Sequence, residues 1–132
     1  MTCWDPLRRK EVAATPEESV RQWFITVLRD SAKVPMHMMM SEVSMKFGEK
    51  PFRADLLVYG RDASPLAIVE CKRPEVKITA EVAAQALRYN AVVGVRYIIL
   101  TNGNTTYIYC RDGEGYRQLA YLPEYEEMSK LI

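Results

Sequence analysis

PLAIVECKRP, residues Pro65 to Pro74, is the stretch on which the reading of this chain turns. Leu66, Ala67, Ile68 and Val69 form a continuous apolar run, the pattern of a buried strand. The strand then runs straight into Glu70 and Lys72. Side chains along a strand alternate faces, so Glu70 and Lys72 share one face, expected to carry Leu66 and Ile68 as well. An acid and a base in that place either neutralise each other or hold something between them.

The residues just upstream sharpen the choice. Arg53 to Tyr59 reads as a second strand, and Gly60-Arg61-Asp62-Ala63-Ser64 as the turn joining the two. A symmetric hairpin with its midpoint between Asp62 and Ala63 sets Asp55 opposite Glu70, with Cβ atoms ~5 Å apart. Asp55, Glu70 and Lys72 then meet at one end of the sheet. Two carboxylates at that distance repel unless a cation lies between them. Mg²⁺ suits them, because it prefers oxygen ligands and keeps waters for chemistry. Lys72 stands where it can position or deprotonate such a water and offset charge on an attacked phosphate. The plainer alternative is a Glu–Lys ion pair at a strand end, with Asp55 solvated on its own.

Around this hairpin the elements fall into order. Thr15 as N-cap, Pro16 at the first helical position and Glu18 as capping-box partner start a helix running to about Asp30. Its expected apolar stripe is Val20, Trp23, Phe24, Val27 and Leu28, with Glu17 turned toward the sheet and Glu18 away. Pro35 ends any continuation. Met36 to Met40, broken by His37, suits adaptable packing better than a soft-metal site, and His37 has no partner that would make it a base. Ser41 to Phe47 reads as a strand. Thr79 caps a second helix to about Val93, stopped by Gly94. Its expected stripe is Val82, Ala86, Tyr89 and Val93. Gln85 falls within that stripe and needs a hydrogen-bond partner: a phosphate, a water, a carboxylate or Tyr89. Val95 to Thr101 and Thr105 to Cys110 read as strands about the turn Asn102-Gly103-Asn104, and Tyr116 to Leu122 as an edge strand. Residues 1–14 read as a lead-in, and 123–132 as a C-terminal tail with a short helix. The expectation is one domain over residues 1–132, with a mixed α/β sheet flanked by helices.

Composition narrows the class. The chain has 132 residues, 48% apolar and 27% charged, ordinary for a globular protein. A net charge of +1 does not advertise a dedicated nucleic-acid binder, yet Arg53, Arg73, Lys77 and Arg88 fall near the proposed site and can meet a phosphate backbone. Cys3, Cys71 and Cys110 are odd in number and lack metal-ligand spacing, which suits reduced thiols in a cytosol. Cys71 points away from Glu70 and Lys72. With no membrane-length apolar run and no secretory pattern, a cytoplasmic location is expected.

The order Asp55, then Glu70-Cys71-Lys72, then Gln85-x-x-x-Tyr89 resembles the PD-(D/E)XK nuclease superfamily in its QxxxY form. More narrowly, TPEESVRQWFI, RADLLVYG, PLAIVECKRP, QALRYN and YIILTNGNTTYIY resemble the N-terminal nuclease domain of type I restriction enzyme R subunits, over about residues 15 to 110. The resemblance implies a restriction-endonuclease-like fold and Mg²⁺- or Mn²⁺-dependent cleavage of DNA. Asp55 and Glu70 would be the metal ligands, with Glu17 a third candidate. Lys72 would be the catalytic lysine, with Gln85 and Tyr89 in support and Arg53 on the DNA phosphate. The superfamily's usual proline before the first Asp is replaced here by Arg53-Ala54. No GxxxxGK[ST] phosphate loop accompanies these motifs, although R subunits carry an ATP-driven translocase. The chain then acts alone, works with separate restriction-system subunits, or is a relic; a homodimer is a further candidate assembly. The rival from another class is a non-catalytic nuclease-fold module that binds DNA or docks a protein.

Overall fold

In the computed structural model, which describes residues 1–47 and 50–130, the elements follow in this order. They are β1 (Thr2–Asp5), β2 (Lys10–Ala13), α1 (Pro16–Asp30), a single 3-10 turn (Met36–Met38), β3 (Met39–Phe47), β4 (Lys50–Tyr59), β5 (Pro65–Cys71), α2 (Ala80–Ala91), β6 (Tyr97–Thr101), β7 (Thr106–Asp112), β8 (Gly115–Leu119) and α3 (Tyr125–Ser129). β3 to β8 form one six-stranded sheet in sequential order. Only β5 and β6 pair in parallel, because the α2 crossover lies between them. The expected mixed sheet with helices is what forms.

Each side of the sheet buries its own core. Val20, Phe24, Ile25 and Leu28 of α1 pack on Leu56, Val58, Ala67, Val69, Cys71 and Ile99. On the opposite face Leu57, Ile68 and Ile98 meet Leu87 and Ala91 of α2, and Leu100 meets Ala83 and Ala86. β5 is thus covered on both faces, which is why its apolar run is unbroken.

Several local expectations change. The lead-in is a two-stranded hairpin, paired from Thr2↔Ala13 to Asp5↔Lys10. Its hub is Arg8, bonded to buried Asp5, to Glu18 of α1 (2.8 Å) and to Glu42 of β3 (3.1 Å). Glu18 therefore does not point away as a capping partner. Thr15 Oγ1 accepts the Glu18 amide, but the Glu18 carboxylate is buried against Arg8 and Gln22. The inward stripe of α1 accordingly includes Glu18, Arg21 and Ile25, while Trp23 is 43% exposed. The tail is structural as well: Tyr125 and Met128 of α3 complete the α1-side core, and the Tyr125 hydroxyl donates to Tyr59 O at 2.8 Å. Residues 131 and 132 fall outside the described residues.

Two irregularities place the site. The β4–β5 turn is centred on Asp62, with Gly60 N bonded to Ser64 O at 2.8 Å and Ala63 at φ +67°. A register shift between Val58 and Tyr59 then restores the pairing Leu56↔Val69 that a symmetric hairpin predicts. The same shift moves Leu66 onto the α1 side with Ala67, away from Ile68. The second irregularity is in β3, where Glu42 has φ +52° and the ladder to β4 steps from Ser41↔Leu56 to Val43↔Ala54. Leu56 and Val58 face α1, whereas Phe52 and Ala54 join the α2-side core. Strict alternation would put all four on one face. The strand changes face at Asp55.

No helix among the described residues is long and apolar enough to cross a membrane. Met128 is fully buried, so Met128→Ala should lower unfolding free energy by about 2–5 kcal/mol in urea titrations. A peripheral tail would give less than about 0.5 kcal/mol.

Candidate active site

At the end of β4 and β5 that carries Asp55 and Glu70 lies a cleft of about 460 Å³. Glu17, Arg53, Asp55, Glu70, Lys72, Gln85 and Tyr89 all line it, whereas Arg73, Lys77 and Arg88 do not. The β4–β5 ladder stops at Leu56↔Val69, one step short of the two acids. A side chain takes over there: the Cys71 amide donates to Asp55 Oδ2 at 2.7 Å. On Glu70, Oε1 accepts from Asn90 Nδ2 at 3.1 Å and Oε2 lies 3.0 Å from Lys72 Nζ.

The electrostatics are unequal. Burial pushes the Asp55 carboxyl above its ordinary value; the Cys71 amide and the Arg21 charge pull it down, and Glu17 and Glu70 push it further up. The Cys71 thiol is driven up by burial, with the Asp55 charge adding to it, which rules it out as a thiolate nucleophile. His37 lies at the other end of the hairpin, in a groove with Tyr59, Gly60 and Ala63.

Among the described residues no three His, Cys, Asp or Glu side chains converge on one point. A closed protein cage is therefore absent from that part of the chain. Mg²⁺ does not need one, since it is usually held by one or two carboxylates and keeps several waters. Asp55 and Glu70 in an open cleft fit that donor set, and a cation beside them would favour the ionised Asp55 that burial, and to a lesser extent Glu17 and Glu70, disfavour. Glu17 lines the same cleft from α1. The Lys72–Glu70 contact is also the ion pair of the plainer alternative.

Helix α2 enters in a different rotation from the expected one. Its buried residues are Ala83, Ala86 and Asn90, while Gln85 is exposed and Tyr89 is 49% exposed. The helix presents alanines to the sheet, and the bulky Tyr89 goes to the rim, where its ring stacks on Phe52 with centroids 4.9 Å apart. The demand for a hydrogen-bond partner assigned to Gln85 belongs to Asn90, which donates to Glu70 Oε1 and to Ala86 O. Asn90 and Arg21 were missed from the sequence. Asn90 carried a signal, as a polar residue four positions after Ala86. Arg21 carried none, because it is buried only through Ser41, Glu42 and Glu18. Of the other basic residues, Arg53 lies in the cleft, Arg73 pairs with Glu75 at 3.1 Å, and Lys77 and Arg88 are exposed.

Residues 16–123 match the family described as the type I restriction enzyme R protein N terminus. No curated protein matches the chain. Among solved structures, a fragment assigned to an HsdR subunit of a type I restriction enzyme from Vibrio vulnificus YJ016 superposes with a TM-score of 0.60 at 20% identity. The match covers 85% of this chain and 24% of that one, so the chain spans about a quarter of the related fragment.

Raising the Asp55 carboxyl above its ordinary value of 3.8 has a fixed sign for stability. The folded state must ionise a buried acid as pH rises through the folded value, so stability falls there and is regained on acidification. Asp55→Asn, which keeps an acceptor for the Cys71 amide, should therefore raise the urea midpoint at pH 7. The difference from wild type should shrink toward zero as pH falls through the carboxylate range. Adding Mg²⁺ should raise the wild-type midpoint and leave Asp55→Asn unmoved.

Proposed function

The chain belongs to the family of type I restriction enzyme R protein N termini, and from that premise we propose that it is a divalent-metal-dependent DNA endonuclease. The observation that carries the reading is the shared cleft: Asp55, Glu70 and Lys72 line one pocket, with the Asp55 carboxyl raised chiefly by burial and further by the Glu17 and Glu70 charges. We take residues 1–132 as one nuclease-like domain of the PD-(D/E)XK type, acting in the cytoplasm on DNA. Other subunits of a restriction system are the candidate protein partners.

Each side chain has a part. Asp55 and Glu70 would hold Mg²⁺ or Mn²⁺, with Asp55 fixed by the Cys71 amide and Glu70 by Asn90. When bound, the ion lowers the pKa of a coordinated water and offsets charge on the scissile phosphate. Lys72 Nζ, now on Glu70, would turn to the attacking water or to a phosphate oxygen. Arg53 on the rim would hold a flanking phosphate, and Gln85 offers it an amide. Glu17 would order water at the α1 side of the cleft.

The docking-module reading keeps one specific support, the Lys72–Glu70 contact at 3.0 Å, which satisfies both charges without an ion. Lys72→Ala separates the two. The side chains of this pair are 36% and 22% exposed, so the substitution should change stability by no more than about 1 kcal/mol. A nuclease should lose on the order of 10²-fold or more in cleavage of plasmid and linear DNA with Mg²⁺ or Mn²⁺. Asp55→Ala should abolish both cleavage and the calorimetric heat of metal binding. Wild type that neither binds the ion nor cuts single-stranded, branched or duplex DNA leaves the docking module as the better reading.

A further inference from the structure

One wall of the cleft is aromatic, and the metal chemistry leaves it unused. Phe52 of β4 is 4% exposed, and the Tyr89 ring lies over it with centroids 4.9 Å apart and planes 19° apart. Tyr89 nevertheless keeps 49% of its surface open and lines the cleft with Asp55, Glu70 and Lys72. The change of face at Asp55 is what brings Phe52 to the α2 side, so one backbone feature of β4 bears on both Asp55 and the stack. Val82 and Ala86 add an apolar floor, and Arg53 lies on the same rim.

A braced, half-exposed ring beside a phosphate-handling site has a specific chemical complement. It offers a flat face to any nucleobase, and stacking of that sort is tolerant of sequence. A base inside an intact duplex already stacks on its neighbours and reaches such a ring only by leaving the helix, at a cost of a few kcal/mol. We propose, resting on the reading of this cleft as a DNA nuclease centre, that the Phe52–Tyr89 stack is a platform for one unpaired base beside the scissile phosphate. The substrate class that follows is single-stranded DNA, or duplex opened locally at the cut: a gap, a flap or a frayed end.

Binding measured in EDTA tests this without cleavage. The probes are an oligonucleotide carrying a fluorescent adenine analogue, as a single strand and as a duplex. The variants are Tyr89→Leu, which keeps Phe52 covered but removes the ring, and Tyr89→Trp, which enlarges it. Wild type should quench the analogue in the single strand. Tyr89→Leu should weaken single-strand binding roughly tenfold, abolish the quench and leave duplex binding within about twofold. Tyr89→Trp should quench as well and bind the single strand at least as tightly. Equal losses on both probes, or none on either, overturn the platform. Should Tyr89→Leu fail to fold, the Trp variant decides: weaker binding without quench overturns it. Cleavage with Mg²⁺ is scored separately. Quenching without any cleavage defeats the nuclease reading and leaves the platform standing. Cleavage by Tyr89→Leu at the wild-type ratio of single strand to duplex defeats the platform alone.

Discussion

A single hydrogen bond, from the Cys71 amide to Asp55 Oδ2, closes the β4–β5 pair where its ladder ends. An unpaired amide there would be costly, because Cys71 is buried between the sheet and α1. The carboxylate satisfies it, and in doing so is drawn out of water. That is the source of the raised Asp55 carboxyl, and it is a stability cost accepted at a position where an apolar residue would leave the amide unpaired. The geometry of the site follows. With Asp55 fixed to the end of β5, Glu70 and Lys72 lie at the same cleft by strand connectivity alone.

The change of face at Asp55 needs support from outside the hairpin. Glu42, at φ +52°, lies opposite Asp55 where the β3–β4 ladder is interrupted, and a non-glycine residue there is strained by roughly 1–3 kcal/mol. Its carboxylate is met by Arg8 and Arg21, and Arg8 in turn holds Asp5 and Glu18. The N-terminal hairpin thus ties α1 to the bend in β3 and keeps the Arg21 charge close enough to Asp55 to act on its carboxyl. Five charged side chains in mutual contact limit the net desolvation penalty of each, though such a network contributes more to geometry than to stability. Among the described residues Arg21 Nε makes no hydrogen bond, lying 3.5 Å from Glu18 Oε2, which fits a network set by position rather than by complete pairing.

The opposite face solves a different problem. α2 must pack closely enough to bury Leu100 and Ile68, and small residues at 83 and 86 permit it. That approach turns Asn90 inward to Glu70 and sends Gln85 and Tyr89 to the rim. The QxxxY pair therefore lies beside the carboxylates without being buried with them. Its polar and aromatic surfaces remain available to a ligand.

Much of this was legible in the chain itself. The apolar run of β5, the turn at residues 60–64, the Thr15 and Thr79 caps and the turn at Asn102 are all local signals, and local signals are set by neighbours in sequence. The Leu56↔Val69 register was read correctly, although by a symmetric turn, whereas the chain uses a left-handed Ala63 and a compensating shift. The convergence of Asp55, Glu70 and Lys72 follows from that register. What tertiary structure alone decided was orientation. The phase of α2, the inward turn of Glu18 and Arg21, the core role of α3 and the change of face in β4 each depend on a partner distant in sequence: the sheet under α2, Arg8 for Glu18, Tyr59 for Tyr125, Glu42 for Asp55. Periodicity fixes which residues share a side of an element, but only the shape and charge of what lies opposite fix which side faces in.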